Sequence, residues 1–306
     1  MMTQEFEQMV ERISSVVLGK KPQIRLALTC FFARGHLLIE DFPGIGKTTL
    51  AKVLARCMGL KFQRMQFTAD LLPGDILGMS VFDRDTSRFS FLPGPIFTQV
   101  FLADEINRAT PKSQSALLEA MEEEQVTFEG ETRALQSPFF VIATQNPLEQ
   151  AGTFPLPESQ MDRFLMRIEL GYPDRAAEKK ILQGEGADQA LEKISCCMGQ
   201  EEVMHIQNQV DLVHCSDTFL DYLQDLLEFT RTSSEFQIGL SPRAGLSLAR
   251  ASRSWAFLHG RDHTLPEDLQ TILPWVAGHR LRNSRDLAGI PRERLLEMFS
   301  QVPVPV

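Results

Sequence analysis

The stretch from His36 to Lys52, HLLIEDFPGIGKTTLAK, constrains this chain more than any other feature. HLLIE reads as a short buried strand, and TLAKVLARCMG reads as a helix that stops at Gly59. Between them Pro43, Gly44, Ile45 and Gly46 form a tight turn that leads into Lys47, Thr48 and Thr49. A strand that feeds a glycine turn into a helix is half of a βαβ crossover, and it commits the chain to a sheet covered by helices. Gly44 and Gly46 let successive backbone N–H groups converge on an anion at the helix N-terminus, whose dipole favours negative charge. Lys47 adds a cation for β and γ phosphates, and the Thr48 hydroxyl is a magnesium ligand by type. One position departs from the pattern G-x-x-x-x-G-K-[ST], because Asp41 stands where the first glycine belongs. Pro43 with Gly44 can set the turn without it, but an acid beside phosphates argues against a nucleotide site. The rest of the chain has to decide.

Further apolar strands are predicted at FTQVFLADE and PFFVIATQN, with helix-like segments between them. Such alternation predicts an α/β fold with a mostly parallel sheet flanked by helices. Upstream, Phe6, Met9, Val10, Ile13 and Val17 recur at helical spacing before Gly19, and a second helix is predicted over Pro22 to Ala33. Beyond GYPD the character changes. DTFLDYLQDLLEFTR, SPRAGLSLARASRSWAFLHG and PEDLQTILPWVAGHRLR are all helical in period, with little strand signal. The 306 residues therefore divide into an α/β unit, 1–172, and a smaller all-helical unit, 173–306, that opens with a helix and a looser linker through about Gln200.

Four further pieces carry chemistry. VFLADEINRA is an apolar strand ending in adjacent acids; beside a phosphate loop, Asp104 can hold magnesium and Glu105 can deprotonate an attacking water. FFVIATQNPLEQ places the polar Asn146 at a second strand end, at the level of a γ phosphate. PLPESQMDRF carries Arg163, and LSPRA carries Arg243 in the first turn of a helix capped by Ser241 and started by Pro242.

The order G-K-T, D-E-I-N-R-A, A-T-Q-N-P, P-L-P-E-S-Q-M-D-R-F and S-P-R-A resembles the MoxR group of AAA+ ATPases over nearly the whole chain. QFTADLLPGDILG, FLPGPIF and SQSALLEAMEE, between those motifs, resemble it too. Members commonly have an acid at the place of Asp41, so the resemblance removes the anomaly. It implies an AAA+ core followed by a helical lid, an ATPase needing ATP and Mg2+, and a homo-oligomeric ring, a hexamer. It implies that Pro43 to Thr49 form Walker A, Asp104 and Glu105 Walker B, and Asn146 sensor one. Arg163 resembles the finger offered to the neighbouring subunit, and Arg243 resembles sensor two. Val16 to Gly19 resembles the part that packs on adenine. Two β insertions are implied, at about 75–91 and about 125–138; from the residues alone the second reads as a hairpin turning at Glu129-Gly130, either facing a pore or lying on the surface. Chaperone-like remodelling of partner proteins, and a partner with a von Willebrand factor A-type domain, follow from the resemblance only.

Other classes fit less well. Lys plus Arg number 31 against 40 Asp plus Glu, a net charge of −9, so a nucleic-acid motor or loader on the same core is the alternative that charge disfavours. A small-molecule kinase would not need the finger and the helical lid, and the guanine motif asparagine-lysine-x-aspartate of Ras-like GTPases is absent. The acidic start MMTQEFEQMVER does not read as a secretory signal, and no apolar run approaches the ~20 residues of a membrane span, so a cytoplasmic location is expected. The five cysteines lack metal-type spacing and read as reduced thiols, and the six histidines show no metal spacing either. MEEEQ, residues 121–125, reads as a solvated helix end.

Overall fold

The computed structural model describes residues 2–85, 87–147, 152–183, 190–192 and 194–305. Leu148 to Gln150 of the FFVIATQNPLEQ motif, one residue of the first insertion and part of the expected linker lie outside them.

Five strands form one parallel sheet: β1 (Leu37–Glu40), β2 (Phe62–Gln66), β5 (Val100–Asp104), β8 (Phe140–Gln145) and β9 (Met166–Ile168), in the order β2-β5-β8-β1-β9. β5 and the first five residues of β8 are buried throughout because helices cover both faces. Alternate side chains feed two separate cores. Leu37, Ile39, Val100, Leu102, Phe140 and Ile142 face one, with α1 (Met2–Ser14), α2 (Lys21–Phe32), α3 (Lys47–Cys57) and the C-terminal helices. Leu38, Phe101, Ala103, Val141 and Ala143 face the other, with α4 (Pro73–Leu77) and α5 (Pro111–Glu123). The period-two alternation of a strand produces this division.

The insertions are two antiparallel hairpins, β3 (Gly78–Asp83) with β4 (Arg88–Pro93) and β6 (Gln125–Phe128) with β7 (Glu131–Ala134). The second turns at Glu129 and Gly130, with φ of 50° and 80°, the paired positive values of a type I′ hairpin. The hairpins also meet one another, which the sequence did not show. Ser80 Oγ donates to Glu129 at 2.7 Å, and the Arg133 guanidinium sits 4.1 Å over the ring of Phe91.

A short helix, α6 (Glu158–Met161), precedes β9, and the chain then continues through α7 (Arg175–Leu182), α8 (Gln200–Asp211), α9 (Asp217–Thr232), α10 (Pro242–Leu258), α11 (Pro266–Ala277) and α12 (Arg292–Phe299). Ser241 caps α10 as its sequence implies, accepting from the Ala244 N–H at 3.1 Å, a bond worth ~1 kcal/mol. Helices α8 to α12 share a continuous apolar cluster with α1 and α2. Polar ties join the same surfaces: Gln207 Nε2 and Ser254 Oγ donate to the Phe31 and Thr29 carbonyls, each at 2.9 Å. The five cysteines are free thiols.

Candidate active site

The carboxyl ends of β1, β5 and β8 finish level with one another, since Glu40 lies opposite Gln145 and Ala103 opposite Ala143. Ligands of open α/β sheets bind outside these ends. There a cavity of about 370 Å³ is lined by Pro43, Gly44, Gly46, Lys47, Thr48, Thr49, Asp104, Glu105 and Asn146, together with Arg64 and Gln66. Nine of the twelve residues marked out by sequence are thus brought together. Ile45 belongs to the same loop but packs its side chain against the core and does not line the cavity. Arg163 and Arg243 line a different cavity.

Gly44 and Gly46 have φ of 80° and 96°, a region L side chains rarely adopt, and Gly46 starts α3. The turn directs Lys47 inward, where its Nζ donates to the Asp41 carbonyl at 2.6 Å and approaches that of Gln145 at 3.4 Å. Burial pushes the Lys47 amine down from its ordinary range, while the carboxylates of Asp104, Asp41 and Glu105 pull it back up.

Asp41, the residue that broke the pattern, is buried and does not line the cavity. One carboxylate oxygen accepts from the Phe42 N–H at 2.8 Å and the other from the Gly171 N–H at 2.6 Å. It therefore straps the phosphate loop to the segment after β9. The buried Lys20 amine, which donates to the Tyr172 carbonyl at 2.5 Å, is drawn upward in pKa by Asp41 and Asp174, against a larger downward push from burial. The Phe42 and Tyr172 rings stack at 5.9 Å across the same strap.

Asp104 and Glu105 are set by Thr144, which stands beside Asp104 in the sheet register. Its hydroxyl donates to Asp104 Oδ1 at 2.6 Å and accepts from the Glu105 N–H at 2.8 Å. Glu105 is held in the left-handed region, φ 57° and ψ 50°, a conformation that costs a non-glycine residue about 1–3 kcal/mol. Its Oε2 accepts from Gln66 at 2.7 Å and pairs with Arg108 at 2.9 Å. Arg64 pairs with Asp104 Oδ2 at 2.7 Å. Thr144, Arg64 and Gln66 were missed by sequence reasoning. Arg64 and Gln66 lie on β2, and only its pairing with β5, Gln66 opposite Asp104, brings them to the site. The hydroxyl and carboxylate oxygens of Thr48 and Asp104 in one cavity are the hard donors that magnesium prefers, alongside phosphates.

In the second cavity, of about 250 Å³, Arg163 Nε pairs with Glu122 Oε2 at 3.0 Å, and Arg243 donates to Oε1 of the same carboxylate. Glu122 to Gln125 are exposed at the end of α5, as MEEEQ predicts for a solvated helix end, and within it two guanidiniums hold the Glu122 carboxylate. The backbone around Arg163 is fixed from behind by the buried Arg280, which pairs with Asp162 at 2.5 Å and donates to the Phe164 carbonyl at 2.8 Å. Arg280 is pushed down in pKa by burial and pulled back by Asp162.

Comparison with known proteins agrees with this geometry. Residues 36–166 match the ATPase family associated with various cellular activities (AAA), and residues 228–297 match the AAA lid domain. YeaC of Bacillus subtilis (strain 168) is 42% identical over 300 residues, covering 97% of this chain and 94% of YeaC. Chaperone MoxR1 of Mycobacterium tuberculosis is 36% identical over 284 residues, covering 90% of this chain and 75% of that protein. The chain belongs to the MoxR family of AAA+ ATPases. A solved structure from Cytophaga hutchinsonii shares the fold with a TM-score of 0.89 at 34% identity, over 99% of this chain and 95% of that one. Family membership brings nucleotide binding with it. Among the described residues no helix is long and apolar enough to cross a membrane.

Proposed function

We propose that this MoxR-family chain hydrolyses ATP to ADP and phosphate as a homo-oligomeric ring, at sites completed by the neighbouring subunit, and uses the cycle to remodel partner proteins. The observation that carries this reading is the separation of the two cavities. One holds the phosphate loop, both acids and Asn146; the other holds Arg163 and Arg243, and the two share no lining residue. A phosphoryl-transfer site needs positive charge at the transferring group, and a ring supplies it from the next subunit.

In this reading the N–H groups of Gly44 to Thr49 and the Lys47 amine bind the β and γ phosphates. Thr48 and Asp104 hold magnesium, which supplies charge neutralisation on the phosphate oxygens when bound. Asn146 orients the attacking water, and Glu105 takes its proton as the water oxygen bonds to the γ phosphorus and the bond to ADP breaks. Arg163 acts as the finger, and Arg243, bound to the same carboxylate, acts on the same neighbouring phosphate. The core ends near residue 172 and the helical lid follows. The chaperone name of one relative supports remodelling, and a partner with a von Willebrand factor A-type domain is proposed on family resemblance.

Glu105→Gln tests the chemistry. It keeps the shape and loses the base, so ATP affinity should stay within a few-fold while turnover falls by about 10²–10⁴. Turnover near wild type would assign water activation to another group.

A further inference from the structure

The carboxylate of Glu122 has no part in the chemistry above, yet it joins both arginines. It lies in the last turn of α5, and its two oxygens are divided between Arg163 and Arg243. Those arginines come from different parts of the fold. Arg163 follows α6 in the core, whereas Arg243 sits in the first turn of α10. A cation at a helix N-terminus is disfavoured by the dipole, and two guanidiniums facing the same space repel. Arg34 and Arg250 line the same cavity, with Arg34 paired to Asp211 at 3.3 Å. The carboxylate offsets these costs. Its own backbone is anchored, because the carbonyl of the preceding residue, Met121, is 3.1 Å from His36 Nε2.

We propose that Glu122 is a positioning residue: it holds Arg163 and Arg243 together as a two-guanidinium fork for the γ phosphate of the neighbouring subunit's ATP. The proposal rests on the reading that these arginines act across a subunit boundary. A guanidinium carries five donors in a planar fork, so one edge can rest on Glu122 while another meets phosphate oxygens. Preorganisation of the pair removes ordering that would otherwise oppose the transition state.

Glu122→Gln is the informative variant. Its amide oxygen can accept from one arginine, but its NH2 group faces the other with donor against donor. One arginine is released, and kcat should fall on the order of 10²-fold. Binding of a fluorescent ATP analogue should stay unchanged, because Glu122 does not line the phosphate cavity. Adding Glu105→Gln subunits, which lack the base but keep Glu122 and both arginines, should restore turnover at mixed interfaces. The triple variant Glu122→Gln/Arg163→Ala/Arg243→Ala should be no slower than Arg163→Ala/Arg243→Ala, since Glu122 acts through those two arginines; a further loss would overturn the proposal. Glu122→Asp, which keeps the charge on a shorter arm, should lose less than Glu122→Gln; if the latter fails to fold, Glu122→Asp carries the mixing test by itself. Wild-type or faster turnover in Glu122→Gln, or a loss that mixing does not restore, would overturn the proposal. Full activity in Arg163→Ala would remove the underlying reading instead, a separately visible failure.

Discussion

At the residue scale Asp41 shows how a departure from a pattern can be structural. The phosphate-loop pattern puts glycine there, yet both carboxylate oxygens of Asp41 accept backbone N–H bonds, and its carbonyl accepts from Lys47. Asp41→Gly would complete the sequence pattern G-x-x-x-x-G-K-T while cutting the strap to Gly171. Bonds to a charged group contribute about 1.5–3 kcal/mol each, so this variant should melt at lower temperature and bind ATP several-fold more weakly. Calorimetric melting and nucleotide titration check it; tighter binding would mean that the acid is tolerated rather than used. Most of the nucleotide cavity was legible because its residues are consecutive or end an apolar strand. Thr144, Arg64 and Glu122 were not legible, because their partners lie at sequence separations of 39 to 121 and only the sheet register and the packing of α10 bring them together.

At the scale of elements, β1, β5 and β8 announce themselves as apolar runs because both faces are covered. β2 does not: FQRMQ is an edge strand with exposed polar residues. β9 has three residues, too few to show a period. The helical second half was legible from its spacing, but its docking on α2 was not. A buried histidine pins β8 to α5 and makes the core sensitive to acid. The Val141 N–H donates to His36 Nδ1 at 3.0 Å, and Nε2 faces the Met121 carbonyl. Only the neutral Nε2–H tautomer satisfies both. Burial accordingly pushes His36 down to about 4, from an ordinary 6.5. Above pH 6.5 the imidazole is neutral in folded and unfolded chains alike. Between 6.5 and about 4 the unfolded chain binds the proton and the folded one does not, so stability falls with falling pH across that window. Denaturant unfolding at pH 7.0, 6.0 and 5.0 should show the decline, and it should be shallower in His36→Gln. An equal slope in that variant would assign the acid sensitivity elsewhere.

At the scale of the whole molecule, the residues proposed to act together are divided between two cavities. Lys47, Asp104, Glu105 and Asn146 face one cavity, and Arg163 and Arg243 face another, joined by Glu122. A ring in which each subunit presents its arginines to the next would unite them, and assembly should then depend on nucleotide. Light scattering should show Glu105→Gln with ATP as a larger species than the nucleotide-free protein. The most direct measurement mixes two impaired variants. Arg163→Ala has an intact phosphate site and no finger, and should lose on the order of 10³–10⁵ in turnover with near-normal ATP binding. Glu105→Gln has an intact finger and no base. If the finger works between subunits, co-assembled mixtures should regain turnover well above either parent, at interfaces where a Glu105→Gln subunit offers Arg163 to an Arg163→Ala site. Mixtures that co-assemble yet stay as slow as their parts would contradict catalysis across the subunit boundary.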